Sequence, residues 1–354
     1  MKRQLLGVAA ILLSISTYAQ DNPLWMRYCA ISPDGTTIAF TYKGDIYTVP
    51  STGGRASQIT TNPAHDTKPI WSPDGKKIAF ASDRMGSMDI FEVNKEGGIP
   101  KRLTTHSGNE TPVAYKDAGH ILFLANIMPT AEDAQFPSGQ FQQVYEVNTE
   151  GGRPVLFSSM PMEDISINHT GNTLLYHDKK GYEDPWRKHH TSSITRDIWL
   201  CSLNGNRTFR KQTAFNGEDR TPVWASDDKS FYYLSEEKGS FNIFKRDIDG
   251  NTSKQITNHT KHPVRFLSAA SNGTLCYGYD GEIYTVKEGA IPQKVQISIV
   301  TDKNDKDLIR QIKRSGATEI SLSSDAKEIA FVLRGDVYVT STEYSTTTVS
   351  YTHL

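Results

Sequence analysis

The sequence predicts an all-β protein: a six-bladed β-propeller of four-stranded blades, followed by the truncated start of a second propeller. Three observations predict this fold class. One repeat recurs along the chain, an apolar triplet follows each copy of its anchor, and residues that favour turns separate the predicted strands. Units of four strands that repeat every ~40–50 residues are typical of propeller blades.

The repeat is clearest in the segment from Trp71 to Gly75, which reads Trp-Ser-Pro-Asp-Gly. Consecutive apolar residues begin seven positions after each anchor, as in Ile78 to Phe80. Such runs indicate a strand that is buried on both faces, which is the environment of a blade between two neighbouring blades. The anchors of the seven repeats are Ile31, Trp71, Ala114, Ile167, Trp224, Ser268 and Leu322.

Each repeat continues with two further predicted strands. The third strand begins with a signature such as Asp45 to Tyr47, and the fourth resembles the segment from Lys101 to Thr104. Proline and glycine favour the tight turn after the anchor, and the aspartate between them can accept hydrogen bonds locally. We therefore expect the aspartates at this turn to be structural: Asp34, Asp74, Asp117, Asp227 and Asp325.

The repeats and the chain ends predict four regions. Residues 1–19 have the basic start, apolar core and small-residue cleavage site of a signal peptide, so we expect a periplasmic or secreted protein. Residues 20–300 contain six complete repeats, residues 301–315 form a charged linker, and residues 316–354 begin a seventh repeat that lacks its last strand. Apart from the signal, no stretch approaches the ~20 apolar residues of a membrane span.

Composition and motifs argue against several function classes. The net charge of −1 gives no electrostatic reason to expect nucleic acid as a partner. The three cysteines, Cys29, Cys201 and Cys276, lie in apolar strands, where a free cysteine behaves as a small hydrophobe. No nucleophile elbow, zinc-protease motif or phosphate-binding loop is present, and no Cys/His cluster has metal-site spacing. We therefore expect no catalytic residues, no metal and no cofactor in this chain.

The repeats resemble the TolB/tricorn class of propellers. The early Pro23-Leu24-Trp25 segment, the first repeat and the insertion from Tyr182 to Ser193 resemble the N-terminal region of bacterial tricorn protease homologues. The resemblance implies a six-bladed propeller ahead of a seven-bladed one, a PDZ-like domain and a serine peptidase core that lies outside this chain. It also implies partners: peptides or unfolded polypeptide, the other domains of the full-length chain, and oligomers of the chain.

Two other functions remain open at this point. A TolB-like periplasmic interaction protein would carry an α/β domain before the propeller, and here the first anchor follows the signal closely. A propeller hydrolase that acts on glycans would need carboxylates that converge in the channel.

Two sets of residues are candidates for substrate binding. Acidic residues precede the first strand of several repeats, and in a propeller they would form a negative rim at one mouth of the channel. The connection from His177 to Arg196 is much longer than its counterpart in the second repeat, Ser82 to Met88, and carries aromatic and basic residues typical of interfaces. The third repeat has a comparable excursion, Asn126 to Gln142, but it is acidic and rich in proline. The candidates are Asp66, Glu110, Glu163 and Asp219 for the rim, and Trp186, Arg187, His189 and His190 for the loop.

Overall fold

The fold is known from a computed structural model, which describes residues 23–127, 141–182, 191–300, 314–333, 335–343 and 349–351. Within these residues every regular element is a β-strand, and no helix has the length and apolar character that crossing a membrane requires. The strands form sheets of four antiparallel strands in up-and-down order, which is the arrangement of propeller blades. The all-β prediction is therefore confirmed.

Six of these sheets follow one another between Arg27 and Lys294. Sheet 1 contains β1 (Arg27–Ile31), β2 (Thr37–Tyr42), β3 (Asp45–Pro50) and β5 (Ser57–Gln58). Sheet 2 contains β6 (Asp66–Trp71), β7 (Lys77–Ser82), β8 (Asp89–Asn94) and β9 (Lys101–Arg102). Sheet 3 contains β10 (Thr111–Asp117), β11 (His120–Ala125), β12 (Gln143–Asn148) and β13 (Val155–Ser158).

Sheet 4 contains β14 (Met162–Ile167), β15 (Thr173–Asp178), β16 (Ile198–Ser202) and β17 (Phe209–Lys211). Sheet 5 contains β18 (Asp219–Trp224), β19 (Ser230–Ser235), β20 (Asn242–Asp247) and β21 (Ser253–Gln255). Sheet 6 contains β22 (Arg265–Ala269), β23 (Leu275–Tyr279), β24 (Glu282–Val286) and β25 (Gln293–Lys294). A short parallel pair joins β4 (Gly54–Arg55) to β26 (Ile297–Ser298).

The first strands of the six sheets contact each other in sequence order, and β1 also contacts β22 and β23 of sheet 6. The apolar triplets of the second strands are fully buried between neighbouring sheets, as Ile78, Ala79 and Phe80 show. Trp71 belongs to the same hydrophobic cluster as Ala39 of the preceding sheet. Burial on both faces, which the triplets predicted, is therefore provided by the adjacent sheets.

The turn aspartates bind their own turns, as predicted. Asp74 accepts hydrogen bonds from the Ser72 hydroxyl at 2.7 Å and from the Lys76 amide at 3.1 Å. Gly75 follows with φ of 67°, a conformation that glycine adopts without steric cost. Asp34, Asp117, Asp227 and Asp325 also accept hydrogen bonds from the backbone amides of their own turns.

The seventh repeat differs from the expectation. It forms a complete four-stranded sheet of β27 (Ala317–Leu322), β28 (Glu328–Leu333), β29 (Asp336–Ser341) and β30 (Val349–Tyr351). The prediction that its last strand is missing is therefore wrong. The segment Val349–Tyr351 does not resemble the segment from Lys101 to Thr104, yet it pairs with the backbone of β29.

Candidate functional site

A central cavity of about 850 Å³ is lined by the first strands of all six sheets. Each of these strands has a register irregularity of the β-bulge type halfway along its length. Bulges bend a strand and redirect its side chains, and they often lie near functional sites. The bulge is therefore the local feature that determines which side chains reach the cavity.

Five of the six bulges contain a non-glycine residue in the left-handed conformation, with φ between 49° and 57°. All five line the cavity: Tyr28, Lys68, Asp164, Thr221 and Phe266. This conformation costs about 1–2 kcal/mol for a residue with a Cβ, and it is least favourable for a β-branched residue such as Thr221. Its recurrence at one position of five repeats shows that the wall of the cavity is built from a repeated backbone feature.

Charged side chains form one part of the cavity wall. Among the described residues that line the cavity, five are basic and two are acidic: Lys68, Lys179, Arg196, Arg220, Arg265, Glu163 and Asp164. Arg220 is almost completely buried and lies with its guanidinium carbon 4.0 Å from the centre of the Phe241 ring. Burial, together with the nearby positive charges of Arg265 and Arg196, lowers the pKa of Arg220 to about 10, although Glu218 opposes this effect.

Acidic groups hold this basic cluster together. Glu218 is completely buried and accepts a hydrogen bond from Arg196 at 2.8 Å. Glu163 accepts hydrogen bonds from Lys179 at 2.7 Å and from His177 Nε2 at 3.2 Å. Burial alone would raise the pKa of Glu163, but hydrogen bonds from His177 and Lys179, together with the charge of Lys179, hold this pKa well below its usual range.

His177 lies between the cavity and the backbone of sheet 5. The backbone N–H of Thr221 donates to its Nδ1 at 3.3 Å, so Nε2 carries the proton that bonds Glu163. No serine, threonine or cysteine nucleophile hydrogen-bonds to His177 among the described residues, and these residues contain no group of acids, histidines and cysteines arranged for a metal ion.

The predicted acidic rim is not formed as expected. Among the described residues that line the cavity, Glu163 is the one candidate of the four that is present. Asp66 is fully buried and contacts the Arg84 guanidinium at 2.8 and 3.0 Å. Glu110 and Asp219 are also buried, and desolvation raises the pKa of each to about 7.

Three of the four acidic residues do not reach the cavity because they lie one position away from Glu163 along their strands. In each sheet the anchor is the residue that pairs with the first residue of the apolar triplet. In sheets 3 and 6 these residues are Tyr115 and Ala269, one residue after the predicted anchors. Each acidic residue can be counted from the anchor of its own sheet. Asp66, Glu110 and Asp219 lie five residues before their anchors, whereas Glu163 lies four residues before its anchor. Neighbouring residues of a strand face opposite sides, so only the latter position faces the cavity.

The family model of the tricorn protease N-terminal β-propeller domain matches residues 23–290. The chain belongs to this family. Tricorn protease homolog 1 of Streptomyces coelicolor is 25% identical over 281 residues, covering 78% of this chain and 25% of the relative. The tricorn protease homolog of Saccharolobus solfataricus is 27% identical over 330 residues, covering 89% of this chain and 28% of the relative.

The crystal structure of the tricorn protease has a TM-score of 0.65 to this fold at 21% identity. The match covers 90% of this chain and 30% of the tricorn chain. This likeness shows the fold. The chain therefore spans less than a third of the length of these tricorn relatives.

The four candidate binding residues of the long loop in sheet 4 of this tricorn-family chain remain predictions. Trp186, Arg187, His189 and His190 lie outside the described residues. Sequence reasoning missed Arg220 and Arg265, which occupy the same strand position as Glu163 in their own repeats. Comparing that position across correctly aligned repeats would have found them. Arg196 and His177 come from other parts of sheet 4, so no comparison of first strands could reveal them.

Proposed function

We propose that this chain is the non-catalytic propeller region of a secreted tricorn-type serine peptidase, and that its cavity docks peptides by their carboxylate groups. The observation that carries the proposal is the convergence of Arg196, Arg220 and Arg265 on a cavity large enough for a peptide segment. Membership of the tricorn family supports the link to proteolysis.

The charge arrangement favours an anionic ligand. After burial, the repulsion from the positive charges of Arg265 and Arg196 lowers the pKa of Arg220, whereas Glu218 and Asp164 raise it. A bound carboxylate would reduce this repulsion. Arginine binds carboxylates with paired, charge-assisted hydrogen bonds, which are stronger than neutral ones.

The proposal includes an architecture. Sheets 1–6 close into a six-bladed propeller, and the sheet of β27 to β30 belongs to a second propeller joined by the linker at 301–315. The contact of β1 with β22 and β23 supports the closure, as do the parallel pairing of β4 with β26 and the Met26 N–H bond to the Gly281 carbonyl at 3.1 Å. The signal peptide at 1–19 would direct the protein out of the cytoplasm.

The test uses the full-length protein and a fluorescent hexapeptide that ends in a free carboxylate, compared with the same peptide ending in an amide. We expect the carboxylate peptide to bind more tightly, and Arg265→Gln to weaken its binding by roughly 10-fold or more. Arg153→Gln serves as the control because Arg153 is exposed and does not line the cavity.

Equal binding of the two peptides, or equal loss from Arg265→Gln and Arg153→Gln, would contradict docking through carboxylates. Thermal unfolding of each variant shows whether it is folded. If both peptides bind and Arg265→Gln changes neither affinity, the peptide site lies outside this cavity.

A further inference from the structure

Two of the three cysteines meet where sheet 6 contacts sheet 1. Cys29 lies on β1 and Cys276 on β23, and both belong to one hydrophobic cluster. Ser268 connects them, since its hydroxyl lies 3.5 Å from the Cys29 carbonyl and 3.4 Å from the Cys276 carbonyl. Burial and the neighbouring Cys29 thiol raise the pKa of Cys276 well above its ordinary value.

The repeat explains why these two side chains face each other. Cys29 lies two residues before its anchor, and Cys276 is the middle residue of its apolar triplet. At the same two positions of other junctions, Ile165 shares a cluster with Leu122, and Leu267 shares a cluster with Tyr232. The pair of cysteines therefore replaces an apolar packing contact that recurs between neighbouring sheets.

We propose that Cys29 and Cys276 form a disulfide that covalently joins the first sheet to the sixth when the protein meets a disulfide oxidant. Cys29 borders the central cavity, so its thiolate attacks the oxidant first and releases one thiolate from it. The Cys276 thiolate then displaces the second half. The cysteines lose two protons to solvent, and the two electrons reduce the oxidant to two thiols.

The bond would join the two sheets at which the proposed ring closes. Sheets 1 and 6 are far apart in sequence, and in the described residues they are joined by a two-residue parallel pair, by side-chain packing and by hydrogen bonds such as that from the Met26 N–H to the Gly281 carbonyl at 3.1 Å. A cross-link between residues distant in sequence restricts the unfolded chain most strongly. The inference is independent of peptide docking, because it involves neither the arginine cluster nor any ligand.

The experiment treats the folded full-length protein with oxidised glutathione and counts the thiols that iodoacetamide can alkylate after unfolding. We expect the free thiols of this region to fall from three to one, Cys201, and a peptide linking Cys29 to Cys276 to appear in the digest. Because thiolates are the reactive species, oxidation should speed up as the pH rises. The midpoint of thermal unfolding should increase by roughly 5–10 °C on oxidation.

Cys276→Ala is the matched control, since alanine occupies the equivalent position in sheets 1 and 2 as Ala39 and Ala79. Its unfolding midpoint should not change with oxidant. The proposal is overturned if all three thiols stay free in the folded protein, if Cys201 is part of the cross-link, or if Cys276→Ala gains the same stability on oxidation.

Discussion

Asp219 should make the stability of the propeller depend on pH. Its carboxyl is 1% exposed, and desolvation raises its pKa from 3.8 to about 7, against the opposing hydrogen bonds from Ser235 and Thr213. A folded-state pKa above the unfolded value means that the folded protein holds the proton longer. The stabilisation is therefore complete below about pH 4 and is lost as the pH rises to about 7.

The size of the effect follows from the pKa difference. Each pKa unit corresponds to about 1.4 kcal/mol, so the free energy of unfolding should fall by about 4 kcal/mol between pH 4 and pH 7 because of this group. Asp219→Asn removes the ionisation and keeps the shape. Its free energy of unfolding should lack this part of the pH dependence. The stability of the variant relative to the wild type should therefore increase steadily from pH 4 to pH 7.

Urea unfolding followed by tryptophan fluorescence at several pH values measures this difference. Asp249→Asn is the control, because the Asp249 side chain is 88% exposed. The reasoning is refuted if Asp219→Asn and the wild type show the same slope of unfolding free energy against pH. If Asp219→Asn lowers the free energy of unfolding by the same amount at every pH, Asp219 contributes to packing and its ionisation does not affect stability.

Two further variants test buried contacts within sheet 2. Arg84→Gln removes the partner of buried Asp66 and should destabilise the fold by about 3–5 kcal/mol in urea unfolding, whereas a surface ion pair would contribute under about 1 kcal/mol. Thr104→Val removes the hydroxyl that accepts the Ile90 N–H at 2.9 Å and should cost about 1–3 kcal/mol. Exposed Thr252→Val should cost much less, and equal losses for both threonines would contradict this role.

The all-β class and the four-stranded sheets could be predicted from the sequence because each repeat carries an apolar triplet on its second strand. Triplets such as Ile121 to Phe123 are typical of a strand covered on both faces, and in the first six repeats adjacent sheets cover them. The anchors of sheets 3 and 6 were misplaced by one residue because Ala114 and Tyr115 both suit a strand. A slip of one residue exchanges the two faces of a strand, so the cavity wall could not be read correctly from these repeats.

The segment Glu218-Asp219-Arg220 shows why charge pattern alone could not identify the site. Three successive charged residues usually indicate a solvated turn, yet here each is less than a tenth exposed. Glu218 bonds Arg196, Asp219 lies beside Ser235 with a raised pKa, and Arg220 reaches the cavity. The strand alternation and the bulge at Thr221 send adjacent side chains to different places. Position relative to the bulge therefore decides whether a charged residue of a first strand supports the sheets or faces a ligand.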